Sequence, residues 1–195
     1  MGALSHVALA GALVLTPPVG ASPIDRWRPL IERASVQLGI PARWIEQVMV
    51  AESRGLVDIG GKPIRSRVGA IGLMQLMPGT WAAMRARLKL GDDPDNPADN
   101  ILAGAAFLRL MYDRFGYPGL FAAYNAGPAR YARALAGGSP LPDETRTYLA
   151  KVTNGIGAPA KERPAPLFAV RHDQDPKSRE AAPASALFAV RAAIP

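Results

Sequence analysis

A glutamate at the end of an apolar helical stripe is the side chain best placed for chemistry in this sequence. Ile45, Val48, Met49 and Glu52 follow the i, i+3, i+4, i+7 spacing, which puts all four on one face of a helix. Burial disfavours the charged form of a carboxyl group and raises its pKa, so Glu52 would be able to donate a proton near neutral pH. The sequence therefore predicts a general acid, and the alternative is a helix-terminal glutamate that turns to solvent or pairs with Arg54.

Three further clusters carry polar groups suited to binding a ligand beside this acid. They are the glycine-rich run from Ser66 to Pro78, the pair Tyr124-Asn125, and the segment from Glu144 to Tyr148. Gly69 and Gly72 would allow tight backbone turns next to a ligand, where a Cβ would clash. Gln75 is a polar residue within an apolar run, so it satisfies buried backbone, points into a cleft, or lies on the surface of a short helix. A sugar ring needs this mixture of directed hydrogen bonds and flat apolar contacts, the latter from Tyr, Met and Trp.

Helices must position these groups, because the apolar periodicity from Ile24 to Val152 is helical and is interrupted by Gly and Pro. No strand pattern of convincing length competes, although Gly60-Gly61 predicts a two-residue β-hairpin. Thr80 is the expected N-cap of the third helix. The small residues around Gly104 would permit close helix packing at the centre of the domain. The predicted helices are 25–38, 41–52, 80–90, 97–115, 119–125, 128–136 and 142–152.

Composition indicates one globular domain with appendages, since the 195 residues are 49% hydrophobic and 20% charged. We expect a signal peptide at residues 1–21, a catalytic domain at 22–157 and a disordered Ala/Pro-rich tail at 158–195. The tail repeats the pentapeptide Leu-Phe-Ala-Val-Arg at 167–171 and 187–191, either as a docking motif or as a recent duplication. The signal peptide predicts export to the periplasm.

The net charge of +7 suits an anionic polymer such as nucleic acid, an acidic membrane surface or bacterial cell wall. We expect no nucleic-acid binding, because no basic helical stripe or recognised reader motif is present. There are no cysteines, and His6 and His172 lie in the predicted appendages, so we expect no zinc. The acidic run from Asp92 to Asp99 lacks the calcium-loop spacing, and helix capping before Pro97 explains it better.

The order of the motifs carries a family resemblance. Glu-Ser at 52–53, Ser-x-x-Gly-Ala-x-Gly-Leu-Met-Gln-Leu-Met-Pro at 66–78 and Ala-Tyr-Asn-Ala-Gly at 123–127 resemble the soluble lytic transglycosylase (SLT) catalytic domain, over about residues 25–155. The segment between Glu-Ser and Ser66 is longer than in the best-known members. The resemblance implies an all-α, lysozyme-like (goose-type) fold acting on peptidoglycan glycan strands, without a cofactor or a metal. We expect a monomer, and envelope, secretion or conjugation machinery stays open as a partner.

The resemblance also implies roles for individual residues. Glu52 would protonate the oxygen between N-acetylmuramic acid and N-acetylglucosamine and then take the proton of the muramoyl C6 hydroxyl, giving a 1,6-anhydro end. No second carboxylate is paired with it in the sequence, unlike in ordinary glycosidases. Two alternatives remain open, a hydrolytic muramidase on the same fold and a non-catalytic wall-binding or secretion-assembly protein. The implied substrate-binding residues are Ser53, Ser66, Gln75, Met77, Tyr124, Asn125 and Tyr148.

Overall fold

Seven α-helices and one short β-hairpin form the part of the chain that the computed structural model describes, residues 22–154 and residue 156. The predicted signal peptide and the tail with its repeated pentapeptide lie outside the described residues. None of the described helices is long and apolar enough to cross a membrane. After a 3-10 turn at Asp25–Trp27, the elements are α1 Arg28–Leu38, α2 Ala42–Ser53, β1 Asp58–Ile59, β2 Lys62–Pro63, α3 Pro78–Leu88, α4 Pro97–Phe115, α5 Gly119–Ala126, α6 Pro128–Leu135 and α7 Asp143–Thr153.

Helix boundaries follow the glycine and proline residues of the sequence. Gly39 ends α1 in the left-handed conformation, and Gly116 follows the last residue of α4. Asn96 caps α4 by accepting hydrogen bonds from the backbone N–H groups of Ala98 and Asp99, as the Asp-Asn-Pro order predicts. The predicted start of α3 is wrong, because the helix begins at Pro78 and not after a Thr80 cap. Proline is pre-set for the first helical turn and has no N–H that needs a partner there.

The longest helix, α4, lies at the centre of the core. It packs against α1, α3 and α5, while α7 packs against α2 and α5. Two helices thus meet α7, which brings the end of α2 close to the last helix of the domain. Buried Arg109 on α4 ties α1 in place by donating to the carbonyl oxygen of Leu38 and to the carboxylate of Asp113, 2.8 Å away. The all-helical fold class predicted from the sequence is confirmed.

Gly104, one of the small residues of α4, makes a different contact from the predicted helix packing. At Gly104 the close neighbour is Met74, in the loop between the hairpin and α3, and a Cβ added there would lie 2.4 Å from the Cβ of Met74. Both residues are fully enclosed in the core. The absent side chain of Gly104 therefore makes room for the loop rather than for another helix.

The hairpin forms where the sequence predicts it. Ile59 pairs with Lys62 and Asp58 with Pro63, so Gly60 and Gly61 make the two-residue turn. Both glycines have positive φ, 62° and 77°, which a two-residue hairpin turn of this kind requires. The extra length before Ser66 is absorbed by this exposed excursion.

Candidate active site

An elongated cleft of about 610 Å³ contains most of the predicted site residues. Its walls come from the end of α2, the loop before α3, the junction of α5 with α6, and the start of α7. The predicted residues on its surface are Glu52, Ser66, Gln75, Met77, Tyr124 and Asn125. Ser53 and Tyr148 are not part of its lining.

Glu52 lies in the last turn of α2, directly after the apolar stripe that packs into the core. Ile45, Val48 and Met49 are completely buried, and the helix carries Glu52 from this stripe to the floor of the cleft. Burial raises the pKa of the Glu52 carboxyl from 4.5 to about 7, since desolvation penalises its charged form. Glu52 is only partly exposed, and the described ion pairs include none between Glu52 and Arg54, so neither the solvent-facing nor the Arg54-paired alternative gains support.

Three neighbours modify the pKa of Glu52. A hydrogen bond from the Tyr148 hydroxyl and the positive charge of Lys151, both on α7, lower this pKa, while the negative charge of Glu144 raises it. The Tyr148 hydroxyl lies near the Glu52 carboxylate, but the two groups do not meet standard hydrogen-bond geometry. This buried hydroxyl therefore has no hydrogen-bond partner of standard geometry among the described residues. Burial and the nearby Glu52 charge raise the pKa of Tyr148 well above its ordinary value. Tyr148 thus reaches the acid from behind the cleft wall, and its direct contact with substrate stays a prediction.

The loop that carries Gln75 is held in place by one buried side chain, Asn100 of α4. Its Oδ1 accepts from the Met74 N–H at 2.8 Å, and its Nδ2 donates to the carbonyl oxygens of Ile71 and Pro94. A Cβ at Gly72 would lie 2.5 Å from that Nδ2. The close neighbour that excludes a side chain at Gly72 is therefore Asn100, and not a ligand as the sequence suggested. Asn100 was missed because nothing in its local sequence distinguishes it from the capping residues just before it.

Gln75 itself combines two of the roles that the sequence left open. It has positive φ, 47°, and its side-chain amide donates to the Gly72 carbonyl oxygen at 2.8 Å. It also lines the cleft. The left-handed backbone turns Gln75 out of the apolar run, so that its neighbours Met74 and Leu76 enter the core while its amide reaches the cleft surface.

Tyr124 and Asn125 are fixed by contacts from opposite sides. The buried Tyr124 hydroxyl donates to the Met74 carbonyl oxygen at 2.8 Å, and its ring packs on Phe107 with centroids 5.3 Å apart. The Asn125 side-chain oxygen accepts from the Thr145 hydroxyl at 2.8 Å, which connects α5 to α7. Phe107 also lines the cleft and was missed by the sequence analysis, which expected Trp to contribute. Trp44 and Trp81 are buried in the core instead.

The two predicted serines occupy different environments. Ser66 lines the cleft, and its hydroxyl accepts from the Ala70 N–H at 2.9 Å, so it shapes the loop; its contact with Glu52 or substrate stays a prediction. Ser53 is buried, donating to the Met49 carbonyl oxygen and accepting from the Gly55 N–H. Its hydroxyl hydrogen-bonds the backbone at the C-terminus of α2, and the side chain is buried away from the cleft surface. The structure therefore gives no support to Ser53 as a substrate-binding residue.

A second carboxylate lies in the cleft, in contrast to the sequence-based expectation. Glu144 of α7 lines the same cavity as Glu52, although their sequence numbers differ by 92. Sequence spacing does not reveal this proximity, because it depends on how α7 packs against α2. The exposed Glu144 carboxylate lies at the rim, where it acts on Glu52 through its charge.

The acidic run before α4 is explained by structural contacts. Asn96 caps the helix, and Asp95 forms a bidentate ion pair with Arg65, in which both N–O distances are 2.6 Å. The described residues contain no group of three or more His, Asp or Glu side chains arranged to hold a metal ion. Arg65 is thereby committed to the loop and does not extend the cleft.

Comparison with known proteins places the cleft within a family. Residues 29–143 match the Transglycosylase SLT domain. The soluble lytic murein transglycosylase of Salmonella typhimurium is 42% identical over 77 residues, which are 34% of this chain and 12% of that protein. The endo-type membrane-bound lytic murein transglycosylase A of Klebsiella pneumoniae is 32% identical over 102 residues, 49% of this chain and 47% of that protein.

The fold is also similar to solved structures. The lytic transglycosylase Slt of Pseudomonas aeruginosa, solved as an inactive mutant with a glutamate changed to glutamine, superposes with a TM-score of 0.56 and 30% identity. The similarity covers 72% of this chain and 25% of that one. This chain therefore matches less than half of the length of these relatives, and the residues matched to the SLT domain include Glu52 and most of the cleft lining.

Proposed function

The chain belongs to the transglycosylase SLT domain family, and on that premise we propose that it is a peptidoglycan lytic transglycosylase. It cleaves the β-1,4 bond between N-acetylmuramic acid and N-acetylglucosamine and leaves a 1,6-anhydro-N-acetylmuramoyl end. The observation that carries this proposal is Glu52, a half-buried acid with its pKa raised to about 7, in a cleft lined with groups suited to sugars. The inactive Glu-to-Gln mutant of the Pseudomonas aeruginosa relative is consistent with a single essential glutamate.

Glu52 acts twice in the proposed reaction. In its neutral form it gives its proton to the glycosidic oxygen as the bond from that oxygen to the muramoyl C1 breaks, which releases the N-acetylglucosamine end as an alcohol. The resulting carboxylate then removes the proton of the muramoyl C6 hydroxyl while that oxygen bonds to C1. Water is not consumed, and the acid is regenerated. A pKa of about 7 suits both steps, since the group then gains and loses a proton at little cost.

Two α7 side chains support the charged form that Glu52 adopts between these steps. The Tyr148 hydroxyl and the Lys151 ammonium both favour the carboxylate, so they oppose the effect of burial. Gln75 and Asn125 both line the cleft and carry amide groups, which suits recognition of the acetamido groups of the substrate. Met77, Phe107 and the ring of Tyr124 supply apolar surface for the sugar faces.

The test compares wild-type protein with Glu52→Gln on purified sacculi. Glutamine has nearly the same shape but carries no acidic proton, so we expect a folded variant that sediments with sacculi and cuts them at least about 100-fold more slowly. Wild type should release muropeptides with anhydro ends, measured by mass spectrometry, and its rate should fall above about pH 7 as Glu52 ionises. Substantial turnover by the glutamine variant would reject Glu52 as the acid.

Glu144 gives a specific reason to keep a hydrolytic muramidase as the second candidate. Hydrolysis normally uses two carboxylates, and Glu144 is a second one in the same cleft. A muramidase would release ends that borohydride reduces, and Glu144→Gln would then abolish cleavage. Under the transglycosylase proposal, Glu144→Gln keeps most of the activity and all of the anhydro products.

The cellular setting is part of the same proposal. We infer export to the periplasm, because the substrate lies there, and action as a monomer without a cofactor. The proposed partners are envelope, secretion or conjugation machinery, because assembling such machinery requires local opening of the wall. A non-catalytic wall-binding protein would bind sacculi equally well in the wild-type and Glu52→Gln forms and release nothing from either.

A further inference from the structure

The cleft continues beyond the acid into a second, smaller pocket with a cationic wall. This pocket has a volume of about 290 Å³ and is lined by Arg130, Arg133, Ser139, Pro140 and Pro142. Arg130, Arg133 and Pro142 also line the main cleft, so the two cavities share one wall. A substrate bound at Glu52 can therefore extend into this pocket without leaving the surface of the protein.

The two arginines present their charges together. They lie three residues apart on α6, which places them on the same side of that helix, and both side chains are exposed. Neither forms an ion pair with a described residue, whereas Arg28, Arg65, Arg85, Arg109 and Arg146 all do. The nearest acidic residue in sequence on α7, Asp143, is already paired with Arg146. The guanidinium groups of Arg130 and Arg133 thus remain available to an anion.

The rest of the pocket wall is short and constrained. Two prolines fix the backbone of the α6–α7 connection, and the Gly138 N–H donates to the Arg133 carbonyl oxygen at 2.9 Å, which folds this connection back onto the end of α6. Ser139 adds one hydroxyl group. None of the described residues that line this smaller pocket carries a carboxylate, in contrast to the main cleft. The pocket therefore has the composition expected for a carboxylate ligand, since arginine binds carboxylates through paired N–H groups.

We propose that Arg130 and Arg133 bind the free carboxylates of the peptide stem carried by the muramoyl residue, which makes stem-bearing glycan the preferred substrate. This inference rests on the proposed function, because it assigns a binding site to the peptide stem, whereas the proposed reaction concerns only the sugar rings. A glycan strand is nearly uncharged along its sugar rings, and its stems carry most of its negative charge. The basic pocket beside the cleft complements that distribution.

The experiment compares two substrates, intact strands with their stems and strands stripped by an amidase, which retain only the lactyl carboxylate. The protein is the full chain, as wild type, Arg130→Gln with Arg133→Gln, or Arg130→Lys with Arg133→Lys. Because exposed charge pairs contribute modestly, we expect the double glutamine variant to lose about tenfold in kcat/KM on stem-bearing strands, mainly through KM, and less than about twofold on stripped strands. The double lysine variant should keep most of the wild-type preference. Arg33→Gln, which removes an exposed charge on α1 outside both cavities, is the matched control and should change neither rate.

A binding measurement decides the inference independently of turnover. Sedimentation of Glu52→Gln with stem-bearing or stripped strands should show tighter binding to the former, and the arginine substitutions should remove that difference. Equal losses on both substrates would assign the arginines to the glycan or its lactyl group and overturn the proposal, as would no loss on either. If wild type cut neither substrate, the proposed function would fail, while the difference in binding would still decide the role of the arginines.

Discussion

At the scale of single residues, the raised pKa that suits Glu52 to act as an acid also lowers the free energy of unfolding at alkaline pH. Its pKa is raised to about 7 because the fold buries it, whereas the unfolded chain exposes it with a value near 4.5. Between these two pH values the folded protein keeps a proton that the unfolded chain has lost. The free energy of unfolding therefore falls as pH rises through this window, and the full penalty is present above about pH 7.

Glu52→Gln should remove this penalty and stabilise the protein at alkaline pH. The difference between 4.5 and about 7 corresponds to about 3 kcal/mol, an upper figure because part of the side chain faces the water-filled cleft. We expect the variant to be more stable than wild type at pH 8 by up to that amount and nearly equal to it at pH 4. Urea unfolding followed by circular dichroism at both pH values measures this.

The control for that prediction is Glu32→Gln on α1, which changes an exposed carboxylate to the same amide. This control should follow the wild-type curve at both pH values. Parallel pH profiles for wild type and Glu52→Gln would mean that Glu52 is freely hydrated. The raised pKa, and with it the proposed acid, would then be wrong.

How far the site was predictable depends on where each contact comes from. Glu52 was predictable because its burial follows from a period within one helix, α2. The roles of Glu144 on α7 and of Asn100 and Phe107 on α4 were not, because these residues reach the cleft or its loop only through tertiary packing. Ser53 shows the converse, since it is adjacent to the acid in sequence but points about 100° away around the helix and is buried.

At the scale of elements, the loop before α3 is positioned by α4. Asn100 holds its backbone by two hydrogen bonds, to Ile71 and Met74, and Gly104, one turn further along, leaves the space that Met74 fills. The Met74 carbonyl oxygen in turn accepts from Tyr124. The wall of the cleft that carries Gln75 is therefore set by the packing of this loop on α4.

Gly104→Ala tests that packing. Alanine should stabilise an isolated helix by about 1 kcal/mol relative to glycine. In this protein its Cβ would lie 2.4 Å from the Met74 Cβ, so we expect a net loss of about 1–3 kcal/mol from overpacking. A displaced Met74 also moves Gln75, and kcat/KM on sacculi should fall with it. Chemical unfolding and the sacculus assay give the two readouts.

The double variant Met74→Gly with Gly104→Ala separates a steric clash from other causes, because only glycine removes the Met74 Cβ that lies 2.4 Å from the added methyl group. If the two side chains compete for one space, the combined loss of stability should be smaller than the sum of the single losses by about 1 kcal/mol or more. Strictly additive losses would show that the Gly104 methyl group acts through something other than Met74. The loop would then not be positioned by this contact.

Most element boundaries were predictable, because glycine and proline restrict the backbone locally. The ends of α1 and α4 and the Gly60-Gly61 hairpin follow directly from these residues. The start of α3 was wrong because two local preferences competed, a threonine cap and a proline in the first turn, and the proline prevailed. The loop from Ser66 to Met77 was not predictable in detail, since its shape depends on α4 and Tyr124 rather than on its own sequence.

At the scale of the whole molecule, the proposed catalytic unit corresponds to less than half of the length of the relatives reported above. Among the described residues, those that line either cavity run from Glu52 to Thr145, and the match to the SLT domain ends at residue 143. The last described contributor to the core is Ile156, which is 8% exposed and whose carbonyl oxygen accepts from the Tyr117 hydroxyl at 3.4 Å. These observations support the prediction that the unit for folding and catalysis ends close to residue 157.

Two truncations a few residues apart test this boundary. A chain without residues 158–195 should unfold at the wild-type Tm and cut purified sacculi at the wild-type rate, because it keeps both cavities and the whole described core. A chain that ends at Thr153 should lose about 2 kcal/mol, the value expected for removing one buried isoleucine from the core, and its Tm should fall. Calorimetry and the sacculus assay measure both. Loss of turnover in the longer truncation with an unchanged Tm would place part of the active site after residue 157, contrary to a cleft built entirely by residues 52–145.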